Sequence, residues 1–273
     1  MYDCHNHTSF SQDSREDICI VVETAINKGL KGIAITDHIE PTKNGYGFET
    51  LNQKGEKNSY DDYINKVKEV QNKYEKKIDV ILGCEVGVLN DTKYKKEIDS
   101  ILNNSVFDFV ILSTHQVGER HLCVGCDFFS NDKIKSYNEY LLSVLESVKL
   151  FNGFNVYGHL DYITRYSHYE DNKLNYCEHK EIIDEILKVI IKKDCGLDVN
   201  TSGTRYGYEG LYPQNDILKR YRELGGKILT IGSDSHGKEL VGNRFDFAKQ
   251  CLLECGFKEA VYFKNKVPNF YKL

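Results

Sequence analysis

The chain has 273 residues, 40% hydrophobic and 28% charged, and its 36 basic side chains against 41 acidic ones leave a formal charge of −5 with histidine neutral. An acidic balance argues against non-specific binding to nucleic acid or an anionic membrane, and no apolar run approaches the roughly 20 residues that cross a bilayer. The start, MYDCHNHTSF, has neither a basic segment nor an apolar core, so no secretion leader is expected, and the nine cysteines are expected as reduced thiols of a cytoplasmic protein.

In chain order, short apolar runs alternate with amphipathic stretches. Met1–Cys4 reads as a strand. Arg15–Lys28 carries Ile18, Val21, Val22, Ala25 and Ile26 at helical spacing, with Gly29 as the stop. Gly32–Thr36 is a buried-strand candidate, and the polar, glycine-containing stretch Pro41–Ser59 reads as a long loop and candidate lid before a helix over Tyr60–Tyr74. Asp79–Leu82 is a strand, Asp91–Leu102 a helix capped by Asn90 or Asp91, and Phe107–Leu112 a further strand. Lys133–Leu150 places Ile134, Tyr137, Tyr140, Leu141, Val144, Leu145 and Val148 on one helical face. Asn155–Tyr157 (strand), Glu178–Lys193 (helix), Gly196–Val199 (strand) and a helix after Pro213 follow. Lys227–Ile231 (strand), Phe245–Cys255 (helix) and Glu259–Phe263, a last strand, complete the series. No linker or low-complexity tract divides it, so one domain over residues 1–273 is expected. The α/β alternation predicts parallel βα units, in either a doubly wound sheet or a βα barrel.

The predicted strands end in residues able to bind metal or phosphate. Strand one runs into His5-Asn6-His7 and then Asp13, strand two into Thr36-Asp37-His38, and strand three into Gly83-Cys84-Glu85. Strands four and five end in Ser113-Thr114-His115 and Gly158-His159-Leu160-Asp161. Strands six and seven end in Asn200-Thr201-Ser202-Gly203-Thr204-Arg205 and Gly232-Ser233-Asp234-Ser235-His236. In a closed barrel all these ends meet on one face, where such proteins do chemistry. A lone histidine after a strand is more often structural, but six of the nine histidines fall at the same end of successive strands. Imidazole and carboxylate suit zinc, manganese or iron, and ions about 3.5–4 Å apart can hold a bridging hydroxide and clamp a phosphoryl oxygen.

Other polar residues carry blander expectations. His121, His168 and His179 are expected to be solvent-exposed and non-catalytic. Asp37 and Asp161 adjoin ligand candidates and are expected to orient histidines rather than bind metal. Cys123 and Cys126 form a lone CxxC, Cys251 and Cys255 fall on a predicted helix, and all nine cysteines are read as structural or incidental. Arg165 and Arg205 follow strand ends closely enough to curl back over the barrel mouth, as recognition of a phosphate monoester would need.

The set His5-x-His7, Asp13, His38, Glu85, His115, His159, Asp234-x-His236 resembles the polymerase and histidinol phosphatase (PHP) family in residue type, order and spacing. That resemblance implies a distorted (β/α)7 barrel with the active site at the C-terminal ends of its strands and three divalent transition-metal ions. It groups His5, His7, Glu85 and Asp234 on one ion, Glu85, His115 and His159 on a second, and Asp13, His38 and His236 on the third. GHLDYITRY and NTSGTR look most like the small monofunctional histidinol-phosphate phosphatases, in which arginines matching Arg165 and Arg205 grip the phosphate and a metal-bridging hydroxide attacks phosphorus. The expected activity is therefore hydrolysis of a small phosphate monoester, histidinol phosphate foremost, with neither nucleic acid nor membrane as partner. Alternatives are another small phosphate ester, a nuclease, an amidohydrolase-like C–N hydrolase and a zinc-stabilised binding protein. The amidohydrolase pattern commonly bridges its metals through lysine, whereas Glu85 occupies the mid-chain bridging position here.

Overall fold

Seven of the apolar runs become parallel strands in the computed structural model, which describes residues 1–42, 45–48, 50–51, 57–89, 91–122, 127–130 and 132–273. The elements begin β1 (Tyr2–Asp3), α1 (Ile18–Asn27), β2 (Gly32–Ile35), β3 (His38–Thr42), β4 (Gly45–Gly47), α2 (Tyr60–Tyr74) and β5 (Asp79–Gly87). They continue α3 (Lys95–Leu102), β6 (Phe109–Ser113), β7 (Gln116–Val117), β8 (Arg120–His121), α4 (Lys133–Leu150), β9 (Val156–Tyr157) and α5 (Lys180–Lys192). The last six are β10 (Gly196–Asn200), α6 (Asn215–Glu223), β11 (Leu229–Gly232), α7 (Phe245–Glu254), β12 (Glu259–Lys264) and β13 (Val267–Lys272).

The barrel order is β1-β2-β5-β6-β9-β10-β11, every neighbouring pair parallel. Residues just beyond the two end strands close the ring: Cys4 donates its backbone N–H to Ile231 O, Asp234 to His5 O and His7 to Ser235 O, each at 2.8 Å. This is the barrel the resemblance implies, and not the open doubly wound sheet that the alternation also allowed.

Local chemistry starts the helices where the pattern predicts them. Asp17 accepts from Cys19 N at the head of α1, Ser59 and Asp62 form a reciprocal capping box on α2, and Asp132 accepts from Lys135 N on α4. On α5 the stripe Ile183, Ile186, Leu187, Ile190 is fully buried, and each such side chain contributes about 1.5–3 kcal/mol of burial. Beside it, Asp184 receives Arg220 Nε at 2.8 Å and Nη2 at 2.7 Å, tying α5 to α6. Those bonds outweigh partial desolvation and hold the Asp184 carboxyl down at about 2 against an ordinary 3.8. The pair's contribution is present above about pH 4 and is lost as pH falls towards 2. Asp184→Asn should therefore show a shallower fall in urea midpoint than wild type over that window.

Three elements differ from the sequence-based expectation. The stretch Pro41–Ser59, expected as loop, contains the end of β3 and β4, paired antiparallel with Glu40 opposite Gly47. Residues 43, 44, 49 and 52–56 of that stretch lie outside the described residues, as do Asn90 and the CxxC of Cys123 and Cys126. Strand β5 runs past Leu82 to Gly87 because β3 flanks it on one side (His38 opposite Glu85) and β6 on the other. Finally, β12 does not join the barrel. Asn265 and Lys266, with φ of 50° and 61°, turn the chain back on itself, and β12 pairs antiparallel with β13. This hairpin plugs one barrel end, with Phe263 stacked on Phe109 and Tyr262 on Tyr2.

Candidate metal centre

Strand alternation builds the site from β5 outward. Val80, Leu82, Cys84 and Val86 pack into the helical layer, while Ile81 joins the barrel interior, so Glu85 projects inward at the strand's end. Neighbouring glycines make room for it and for His5. A Cβ on Gly158 would meet Ser113 Oγ at 2.5 Å and Glu85 Oε1 at 3.6 Å, and one on Gly232 would meet His5 Cβ at 2.3 Å.

Glu85 is completely buried, and five imidazoles surround it. His38 Nδ1, His5 Nε2 and His7 Nε2 lie 3.0, 3.3 and 3.5 Å from Oε2. His159 Nε2 and His115 Nε2 lie 2.9 and 3.3 Å from Oε1, which also accepts from Ser113 Oγ at 2.6 Å. Asp234 is the second hub, its Oδ1 3.4 Å from His7 Nε2 and 3.8 Å from His5 Nε2. Asp13 lies farther out, 3.1 Å from His236 Nε2 and 3.7 Å from His38 Nε2. The rings of His38 and His236 both stack on His7, each with its centroid 4.2 Å from that of His7. All nine sequence-derived ligand candidates thus converge on one place.

The donor set fits metal ions of the zinc, manganese or iron class. His5 Nε2, His7 Nε2, His38 Nδ1 and Glu85 Oε2 are buried without a hydrogen bond, a costly arrangement for a protein interior unless something charged engages such atoms. Charge follows the same logic. Burial pushes the Glu85 carboxyl up, but His5, His115 and His38 together hold it well below the usual range. Burial is likewise outweighed at Asp234, by Arg165 first and then His5. Burial and the Arg165 charge pull His159 down to about 4, leaving a neutral ring able to donate a lone pair. His159 and Asp234 both adopt left-handed backbone, with φ of 23° and 53°, strain that costs about 1–3 kcal/mol each and clusters at functional sites.

The arginines divide. Arg165 is enclosed by the rings of Tyr162, Tyr206 and Tyr212, 4.7 to 5.0 Å from their centroids, and its Nη2 donates to Ser202 Oγ and Asp234 Oδ2, both at 2.9 Å. It lines a cavity of about 190 Å³ with Asp13, Glu40, Glu85, Tyr166, His236 and other members of the cluster. Arg205 does not line that cavity. It reaches the same aspartate, donating from Nη2 to the Asp234 carbonyl at 2.6 Å. Past Pro41 and His121 the cavity adjoins a wider groove of about 830 Å³. The ligand candidates converge in the smaller space.

The expected orienting residues need correction. Asp37 contacts no imidazole directly: it accepts from Thr8 N and Oγ1 and from Ser11 Oγ, and Ser11 Oγ lies 3.1 Å from His7 Nδ1. Asp161 does not orient His159. Its Oδ2 accepts from Gln214 N at 3.0 Å, and burial pushes its carboxyl up to about 8. Direct orientation comes instead from Asp198, 2.8 Å from His5 Nδ1, and Glu40, 2.6 Å from His115 Nδ1. Sequence reasoning passed over both, although a lone carboxylate inside the apolar run GLDV was a usable signal. His168 and His121 are exposed as expected, His121 at the cavity rim. His179 is not: it is buried at the head of α5, its Nδ1 2.7 Å from Asn138 Oδ1. Among the described residues Cys4, Cys19, Cys84, Cys177, Cys195, Cys251 and Cys255 are free thiols.

Comparison with known proteins gives a consistent result. The family model for the PHP domain matches residues 3–202. A histidinol-phosphatase of Lactococcus lactis subsp. lactis is 33% identical, over 96% of this chain and 93% of the relative. A probable histidinol-phosphatase of Clostridium acetobutylicum is 32% identical over 99% of both chains. A crystal structure of the Lactococcus lactis histidinol phosphate phosphatase, complexed with zinc, L-histidinol and phosphate, superposes with a TM-score of 0.83 at 30% identity and covers 98% of each chain.

Proposed function

The chain belongs to the PHP domain family, and from that premise we propose that it hydrolyses L-histidinol phosphate to L-histidinol and phosphate in a metal-dependent reaction. The observation that carries the reading is the burial of Glu85 among five imidazoles, beside an arginine that lines the same cavity. In this reading His5, His7, Glu85 and Asp234 hold one ion, Glu85, His115 and His159 a second, and Asp13, His38 and His236 a third. Bound zinc, manganese or iron supplies positive charge to phosphoryl oxygens and lowers the pKa of water.

The chain's own residues set up the displacement. Glu85 and Asp234 remain ionised at neutral pH and so hold the imidazoles in place. Arg165, braced by three tyrosines, presents its guanidinium to the phosphoryl oxygens, where charge grows in the transition state. Arg205 steadies Asp234 and adds a second positive charge behind that carboxylate. At the cavity rim Glu40, Tyr162, Tyr166 and Tyr206 offer a carboxylate and flat rings, which suit an alcohol bearing an ammonium and an imidazole. The net charge of −5 disfavours nucleic acid or an anionic membrane as partner, and the reading sets the reaction in the cytoplasm. Among the described residues no helix is long and apolar enough to cross a membrane.

Phosphate release across a panel of phosphomonoesters, with and without chelator, tests the reading. Histidinol phosphate should give the highest kcat/KM, chelation should remove activity, and purified protein should carry close to three metal equivalents by mass spectrometry. Because ions bind only the folded chain, chelation should also lower the melting temperature. Full activity in metal-free protein, or a clear preference for another ester, would overturn it.

A further inference from the structure

The imidazoles of the cluster are held from behind very unequally. His5 Nδ1 lies 2.8 Å from Asp198 Oδ2, and Asp198 Oδ1 accepts from Thr230 Oγ1 at 2.6 Å, with all three side chains fully buried. His115 Nδ1 lies 2.6 Å from Glu40 Oε1. His7 has a neutral partner, Ser11 Oγ, with Asp37 behind it. The outer residues have no carboxylate of their own: His236 Nδ1 meets the Asp234 carbonyl at 3.0 Å, with Asp234 Oδ1 at 3.5 Å, and His38 Nδ1 lies 3.0 Å from Glu85 Oε2, which it shares with His5 and His7. Among the inner ligands His159 is the exception, its Nδ1 buried without a hydrogen bond. Exposure follows the same gradient. The side chains of His5, His7 and Glu85 are 0% exposed, those of His38 and His236 are 16% and 20%, and that of Asp13 is 53%.

A carboxylate on the far ring nitrogen fixes the tautomer, locks the ring and makes the near nitrogen a stronger donor, and loss of such a partner typically costs about 10–100-fold in metal affinity. Ligands in contact with water also compete with it for the ion. From these two gradients we infer that the ion held by Asp13, His38 and His236 is exchangeable, and that Asp198, acting through His5, is a positioning residue that secures an inner ion. The inference rests on the ligand assignment proposed above. It ranks the sites, so the outer position follows the metal supply around the protein while the inner pair stays loaded.

The test is zinc release. Protein saturated with zinc is exposed to rising chelator, and the released metal is read with a chromophoric indicator. Wild type should lose one equivalent per chain at a chelator concentration at least about ten-fold below that which removes the other two. Asp13→Asn should abolish the early equivalent and leave the late pair. Asp198→Asn keeps an acceptor for His5 and a polar partner for Thr230 but loses the charge. It should move one late equivalent to about 10–100-fold lower chelator, with the zinc-free melting temperature held at the zinc-free wild-type value. If that variant does not fold, Glu40→Gln should move the equivalent held through His115 in the same direction. Release of three equivalents in a single phase overturns the ranking, and an unchanged curve in the folded positioning variants overturns the role of Asp198. A saturated total below three equivalents overturns the three-ion assignment itself, a failure read before any chelator is added.

Discussion

Glu85→Gln should abolish turnover, with kcat/KM for histidinol phosphate falling on the order of 10³-fold or more and bound metal falling by at least one equivalent. The substitution keeps the shape and the contact with Ser113 Oγ but removes the charge. Five imidazoles face the wild-type carboxylate at 2.9 to 3.5 Å. In the variant, the neutral amide would no longer balance positive charge on the surrounding imidazoles, and the carboxylate that would hold ions beside them would be lost. Mass spectrometry of the purified variant, beside steady-state kinetics, checks both halves. Wild-type metal content with wild-type turnover would remove Glu85 from the centre of the mechanism.

The second large effect is expected at Arg165. Arg165→Ala should lower kcat/KM by about 10²–10³-fold, the loss typical of removing one preorganised donor from developing charge, while metal content stays near wild type. Arg165→Lys should restore little, because the planar guanidinium is held between the rings of Tyr162, Tyr206 and Tyr212 and an ammonium neither stacks nor forks in that way. Arg205→Ala should cost less, about ten-fold, since Arg205 does not line the cavity and acts on Asp234 through its backbone carbonyl. Parallel titration with inorganic phosphate as a product inhibitor should show weakened binding in Arg165→Ala. Unchanged kinetics in both alanine variants would dissolve the phosphate grip.

The ligand cluster was readable because of how a parallel barrel is made. Its strands are apolar on both sides, so a polar residue stands out where each one ends, and those ends share a rim. What escaped had specific causes. Strand β4 is three residues with two glycines, too short to show a period. The hairpin partner β13 starts with Val267-Pro268 and carries no alternation strong enough to mark it. Asp161 was misjudged because nearness in sequence was taken for contact; the left-handed turn at His159 sends it instead to the backbone of Gln214. Glu40 follows His38 by two residues in the same strand and so shares its side, a relation hidden while the region was read as loop. His179 shows that a single histidine at a polar helix start gives no sign of whether it is buried.

The seam that closes the barrel also fixes when the protein becomes competent. His5 accepts from Asp234 across it, and Asp3 receives Ser233 Oγ across 230 positions of chain. A nascent polypeptide emerging from the ribosome therefore displays His5 and His7 long before it has Asp234 or His236. Loading of the complete centre must wait until Asp234 and His236 have been made and the seam has closed, and any quality control that samples the chain before then meets a ring that still lacks its last stave.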